Sequence, residues 1–407
     1  MQLFSVSKKN ERSGFSLRRV WCLRFGIEQF LDPERQYAQQ LTELGLHAGL
    51  HRVGIASAAP LTSALVALRS RKEHGHSDTM QFTFRNPVRS TTPQMAVPGA
   101  RSIIVGARSY FADVALQHLP NDSDNPSENT VLGDVARYAW SDHYRPLRDA
   151  LRVVVKKLRK DGHRAVLFAD DNSVVDREVA YRAGLGWYGK NANLLLSGTG
   201  SWFVLGSIIT TAVLPPGEPV ADGCGSCRRC IDACPTGAIV EPGVIDARRC
   251  LAWVMQKPGV VPLEFRQAIG SRIYGCDDCQ DACPPTMRLA QREPLASDAQ
   301  MSVDVITLLS MTDSEIENNY GRWYIHNREV RWVRRNALIV LGNCASLSNA
   351  LAHTTVIRYL SDSDPYLRAH ATWAAARLSL GHYLNHSDPD SLVQNELARL
   401  PEPRRQH

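Results

Sequence analysis

The stretch Cys224-Gly-Ser-Cys227-Arg-Arg-Cys230-Ile-Asp-Ala-Cys234-Pro235 constrains this chain more than any other. Its C-x2-C-x2-C-x3-C-P spacing seats a four-iron cubane: three close cysteines hold one cluster, and the cysteine before the proline reaches to a neighbouring one. A second run, Cys276-Asp-Asp-Cys279-Gln-Asp-Ala-Cys283-Pro284, repeats the last three cysteines and lacks the first, for which the lone Cys250 is the natural substitute. The ligand count then closes. Cys224, Cys227, Cys230 and, by crossover, Cys283 take the first 4Fe-4S cluster; Cys234, Cys250, Cys276 and Cys279 take the second. Zinc knuckles or a disulfide framework are the plainer alternatives, but zinc sites use paired C-x2-C ligands and have no need of two C-x3-C-P tails. Cys22 and Cys344 fall outside the pattern and read as ordinary thiols.

Thiols committed to iron imply a reducing, cytoplasmic compartment. No apolar run approaches the roughly eighteen residues of a membrane helix, so no membrane partner is expected. A formal charge of +6 permits a polyanionic partner without requiring one. The basic residues of 1–33, among them Lys8, Lys9, Arg18, Arg19 and Arg24, faintly echo a twin-arginine export signal. The charged Glu28, Asp32 and Glu34 break the apolar segment that should follow, so the stretch reads as a disordered extension.

Residues 34–219 alternate helical and strand patterns, which describes an α/β or α+β domain. Gln36–Leu50 has helical spacing, and Arg101–Ala107 reads as a strand. Leu147, Ala150, Leu151, Val154, Val155 and Leu158 line one face of a helix. Ala165–Ala169 is a buried strand and Val174–Ala183 a short helix stopped by glycine; Asn193–Leu196, Gly200–Leu205 and Ser207–Leu214 are further strands. Residues 220–290 form the two-cluster module. Residues 291–381 turn helical, and Val333–Gly342 aligns with Leu367–Ala376 as a faint repeat of stacked helices. The polar residues 382–407 read as a frayed tail.

Three further features could carry chemistry. Asp170 ends a strand, a usual place for an acid facing a ligand, although Asp170 or Asp171 as a helix cap is the simpler reading of the residues alone. The Gly184–Asn191 turn could cradle a cofactor with backbone N–H groups and Lys190, or be a plain helix stop. Arg322, Arg328, Arg331, Arg334 and Arg335, with Arg368 at the repeat position, could meet phosphate, with Trp323, Tyr324 or Trp332 free to stack on bases. A solvated helix face is the alternative.

Together, several motifs resemble the epoxyqueuosine reductases, cobalamin- and iron–sulfur-dependent enzymes of tRNA modification. The resemblance rests on Arg137-Tyr-Ala-Trp140, Ala183-Gly-Leu-Gly-Trp-Tyr-Gly-Lys-Asn191, Gly200-Ser-Trp-Phe-Val-Leu-Gly206, Cys224–Ile239, Tyr274–Gln280, Arg335-Asn-Ala and Arg368-Ala-His-Ala-Thr-Trp373. It implies an α+β multidomain protein: an α/β cobalamin-binding catalytic domain (34–219), a ferredoxin-like domain with two clusters (220–290) and a HEAT-like helical module (291–381). It implies that Asp170 is the proton donor, overturning the cap reading. Lys190, Asn191, Ser201, Asp277 and Asp278 would lie near the corrinoid. Arg328, Arg331, Arg334, Arg335 and Arg368 would help grip the tRNA anticodon stem-loop.

The implied reaction passes electrons from an external low-potential donor through the clusters, cycling cob(II)alamin and cob(I)alamin, and turns the epoxide of epoxyqueuosine at the wobble position into queuosine, within a monomer. The sequence departs from the family at Asp171-Asn172-Ser173, where a small residue and proline are usual, at His143-Tyr144-Arg145 for D-Y-H, and at Cys283-Pro-Pro-Thr286 for C-P-W-N. Two alternatives come from other classes: a corrinoid iron–sulfur reductase of small molecules, like the reductive dehalogenases, and a non-enzymatic electron-transfer protein.

Overall fold

The computed structural model describes residues 32–110, 129–290 and 299–404; the basic extension, with Cys22, lies outside the described residues except for its last two positions. Seven strands build two sheets: β1 (Arg52–Ser57), β2 (Ser102–Ser109), β3 (Leu132–Val135), β4 (Ala165–Phe168), β5 (Phe203–Thr210), β6 (Arg272–Tyr274) and β7 (Ser302–Asp304). The larger sheet has the order β1-β2-β5-β4, and every pair in it is antiparallel. The expected α/β domain is therefore corrected to α+β.

The continuous apolar runs of the central strands come from burial on both faces. Helices α1 (Pro33–His47) and α2 (Tyr144–Lys160) cover one face through Leu41, Leu147, Leu151, Leu158, Ile104 and Ile208. Helix α3 (Asp176–Arg182) and the residues around Leu61, Val97 and Leu194 cover the other, against Ile103, Val105, Phe203, Leu205 and Ile209. Alternate residues point to opposite faces of a sheet, so covering both faces buries every residue of β2 and β5. The two strands expected at 200–205 and 207–214 are one. Gly206 does not break it; it pairs with Gly106, and a Cβ on either glycine would meet Leu151 of α2 at 2.7 or 3.0 Å. The glycine pair is a seat for the helix.

The second sheet, β6-β3-β7, takes one strand from each of three distant stretches. It shares a single core with helices α4 (Leu251–Gln256), α5 (Leu263–Ile269), α6 (Arg331–Cys344), α7 (Ala350–Tyr359) and α8 (Pro365–Arg377). The aligned Ala337 and Ala371 are fully buried, and Gly342 lets α6 approach the Trp373 ring of α8. The described part of the tail, to residue 404, does not fray. Helix α9 (Ser391–Leu397) buries Val393, and Glu396 accepts two hydrogen bonds from the buried Arg266, at 2.8 and 2.9 Å. No helix among the described residues is long and apolar enough to cross a membrane.

Candidate active site

The eight thiols gather into two groups. Cys230 has Cys283, Cys224 and Cys227 as electrostatic neighbours, and Cys283 has Cys224 and Cys227. In the other group Cys279 is surrounded by Cys276, Cys250 and Cys234, with Cys230 of the first group next. Cys250, which precedes α4, neighbours Cys234. Burial and then the nearby Asp278 push the Cys276 thiol up to about 12, and burial together with the other thiols raises Cys279. Such sulfurs become thiolates only against strong positive charge, which iron coordination supplies. The donor set fits two iron–sulfur clusters.

The turn after α3 behaves first as a helix stop. The Leu185 amide bonds Ala180 O at 3.0 Å, the reach of a Schellman cap, and Gly184 at φ +73° would drive a Cβ into Glu218 O. The turn then continues into a hairpin, Gly186–Tyr188 with Leu194–Leu196. Its polar residues hold the cysteine loops. Lys190 Nζ donates to Gly225 O at 2.6 Å. The buried Asn191 donates through Nδ2 to Cys279 O at 3.1 Å.

Ser201 Oγ donates to Gln280 Oε1 at 2.9 Å, and its amide donates to Thr286 Oγ1 at 3.2 Å. Thr286 is thus a working replacement at the family's C-P-W-N position. Gln280 Nε2 in turn donates to Asp277 Oδ1 at 3.2 Å, and the Arg137 amide donates to Asp277 Oδ2 at 2.7 Å. Asp278 faces elsewhere. Its carboxylate holds Arg272 of β6, with both oxygens 2.7 Å from Nη2, which engages Asp278 with the second sheet.

Asp170 follows β4 at φ +56°, in the left-handed region that Asp tolerates better than most residues. The cap reading fails, because Val175 precedes α3 and no side chain caps it. Asp171 instead accepts from the Ser173 amide at 2.7 Å, an Asx turn that replaces the family's proline. Burial and the neighbouring Asp171 raise the Asp170 pKa, against the Arg148 charge. Arg148 lies over the Tyr144 ring at 5.3 Å and donates to Ala169 O at 3.2 Å.

Tyr144 has Asp170 and Asp176 as charged neighbours; Tyr110 has Tyr144 and Asp277; Tyr274 has Asp170. Asp170, Asp176, Asp277, Tyr110 and Tyr144 each keep some surface open, yet protein around them desolvates their charged forms. Groups that are partly open and yet desolvated by surrounding protein fit the wall of a concavity. Its aromatic faces, hydroxyls and carboxyls, beside the second thiol group, fit a flat cofactor fringed with amides. Sequence reasoning did not pick out Asp176 or Tyr110 and met Tyr144 only as the middle of the family's D-Y-H position; Asp176 and Tyr144 open the short and the amphipathic helix, and Tyr110 follows β2.

The arginine set divides. Arg335 is fully buried and donates to Met255 O, Lys257 O and Gly259 O at 2.7–2.8 Å, so it cannot meet phosphate. Arg334 pairs with Asp313 and donates to Met311 O. Arg368 pairs with Asp388 at 2.8 Å, and Arg331 with Asp364 at 2.9 Å. Arg328 is exposed, with one hydrogen bond, to Gly321 O. Trp323 and Trp332 are buried, and Trp323 stacks on Tyr274 at 4.6 Å. Of the three aromatics expected to stack on bases, only Tyr324 is open to solvent; its amide donates to the Tyr274 hydroxyl at 2.6 Å.

Residues 223–286 match a family model described as a 4Fe-4S double cluster binding domain. The chain is 32% identical to the epoxyqueuosine reductase of Bacillus cereus over 354 residues, 84% of this chain and 89% of that protein. A crystal structure of epoxyqueuosine reductase with a tRNA-Tyr epoxyqueuosine-modified stem loop superposes with a TM-score of 0.79 at 27% identity, covering 89% of this chain and 97% of that one. A Bacillus subtilis epoxyqueuosine reductase whose catalytic aspartate loop is swung out of the active site gives 0.78 at 26% identity, covering 89% and 98%.

Proposed function

The chain belongs to the epoxyqueuosine reductase family, and from that premise we propose how its own residues carry the reaction. It is an oxidoreductase that reduces epoxyqueuosine in tRNA to queuosine. The observation that carries the site assignment is the contact chain Ser201–Gln280–Asp277, which ties the second cysteine loop to the catalytic domain, with Asp277 beside Tyr110 and Tyr110 beside Tyr144, the neighbour of Asp170. In this reading Cys224, Cys227, Cys230 and Cys283 hold one 4Fe-4S cluster, and Cys234, Cys250, Cys276 and Cys279 the other. The clusters would pass single electrons to a cobalamin in the concavity, which supplies the low-potential chemistry that opens the epoxide.

The protein supplies position and protons. Asn191 and Ser201 fix the Cys276–Gln280 loop against the catalytic domain. Asp277 is held on both oxygens, so the rim it forms is rigid. Burial raises the Asp170 pKa, which favours its proton-bearing form, and in this reading Asp170 delivers that proton to the epoxide oxygen. We assign residues 34–219, 220–290 and 291–381 to catalytic, two-cluster and HEAT-like tRNA-binding parts. The last two share one core. A monomer in the cytoplasm, fed by an external low-potential donor, completes the reading.

Coverage of most of the chain by epoxyqueuosine reductases disfavours both the small-molecule reductase and the simple electron carrier. The direct test incubates reduced, cobalamin-loaded protein with epoxyqueuosine-containing tRNA and weighs the digested nucleoside. Loss of one oxygen atom is expected; an unchanged mass with a positive control enzyme working overturns the reading.

A further inference from the structure

Opening an epoxide to an alkene breaks two C–O bonds, forms one C=C bond and releases water, consuming two electrons and two protons. Asp170 carries one proton. The second needs a source at the same place, since the oxygen must leave as water rather than hydroxide.

Two other carboxyls line the recess: Asp277, whose oxygens are both engaged by the Arg137 amide and Gln280, and Asp176, in the first turn of α3. It accepts a hydrogen bond from Ser207 Oγ of β5 at 2.5 Å. Its charged neighbours are Asp170, Asp171 and Arg177, and Tyr144 of α2 neighbours both Asp170 and Asp176. Ser207 occupies only Oδ1; Asp176 Oδ2 has no other hydrogen-bond partner among the described residues. Resting on the functional reading above, we infer that Asp176 is the second proton source of the reaction, supplying the departing oxygen or reloading Asp170 past Tyr144, with Ser207 fixing its orientation.

Burial, then Asp170 and Asp171, push Asp176 up to about 7, against the Ser207 hydrogen bond and the Arg177 charge. A carboxyl so raised is protonated below that pH and charged above it. It therefore holds its proton on the acid side of about pH 7 and loses it as pH rises through that value.

Asp176→Asn keeps the shape and removes the transferable proton. It should lower kcat roughly a hundredfold with KM for tRNA unchanged, and abolish the fall of wild-type kcat as pH rises through about 7. Asp176→Glu should recover most of the rate. Independently of turnover, the infrared carboxylic-acid band of the cluster-loaded protein at pH 6 should shrink in Asp176→Asn and shift in Ser207→Ala. Wild-type kcat and pH profile in Asp176→Asn, or an unchanged infrared band, overturns the inference. If the wild-type protein reduces no epoxyqueuosine, the functional reading falls, while the infrared comparison still decides whether Asp176 carries the proton.

Discussion

Asp170 shows how a backbone conformation can prepare a side chain. Its left-handed φ turns the chain sharply after β4, and the Asx turn at Asp171 with Ser173 holds the next residues. The Asn172 and Ser173 contacts to Ser90 and Arg89 anchor the loop on the far side. Asparagine tolerates the left-handed region as well as aspartate does, so Asp170→Asn should fold, load both clusters and bind the corrinoid while losing turnover by at least a hundredfold. Iron content, the corrinoid spectrum and single-turnover product measure the three parts; turnover at the wild-type rate refutes the proton-donor role. Of the two proposed proton sources, Asp170 stood out by its place at a strand end, although the residues alone favoured a helix cap and the family resemblance made it the donor, whereas Asp176 became visible only when folding put Ser207 and Tyr144 beside it.

Among the elements, α4 and α9 show two kinds of dependence on distant sequence. Cys250, at the start of α4, is the one thiol of the second group that does not come from a C-x2-C or C-x3-C-P run. Cys250→Ala should therefore remove the second cluster and spare the first, leaving about four iron atoms per chain in place of about eight. Retention of about eight irons would show that another ligand completes that cluster. Helix α9 depends on one buried pair. Burial opposes the charge on both Arg266 and Glu396, and each is supported by the other. Removing one charge leaves its partner enclosed, so Glu396→Gln should cost roughly 3 kcal/mol, read as a fall in chemical-denaturation midpoint at unchanged slope. A midpoint equal to wild type would mean that α9 is dispensable to the core. The apolar pattern of α2 foretold all six of its buried residues, because an amphipathic helix carries its burial in its own spacing. The Arg266–Glu396 pair had no such signal, since its members lie 130 positions apart.

On the scale of the whole molecule, packing decides which arginines stay open to a polyanionic partner. Arg335 lies in the interior, where burial and the nearby Arg266 lower its pKa to about 9, and its carbonyl partners link α6 to the segment after α4. Arg328→Ala should weaken tRNA binding and reduce the slope of log affinity against log salt by about one. Arg335→Ala should lower thermal stability and leave that slope alone in whatever protein remains folded. A reversed pattern, with the slope altered by Arg335 and untouched by Arg328, would remove Arg328 from the interface.

The ligand spacing of the clusters was determined by the sequence itself, because chelation by C-x2-C and C-x3-C-P runs is local covalent geometry that survives any packing. The family and its reaction were equally legible, since their motifs are contiguous. Only the tertiary structure decided that the main sheet is antiparallel, that Asn191 and Ser201 clamp the second cysteine loop, and that Arg335 serves the core. Strand direction, solvent exposure and the partner of a buried charge depend on segments brought together from far along the chain, and no local pattern encodes which of them will meet.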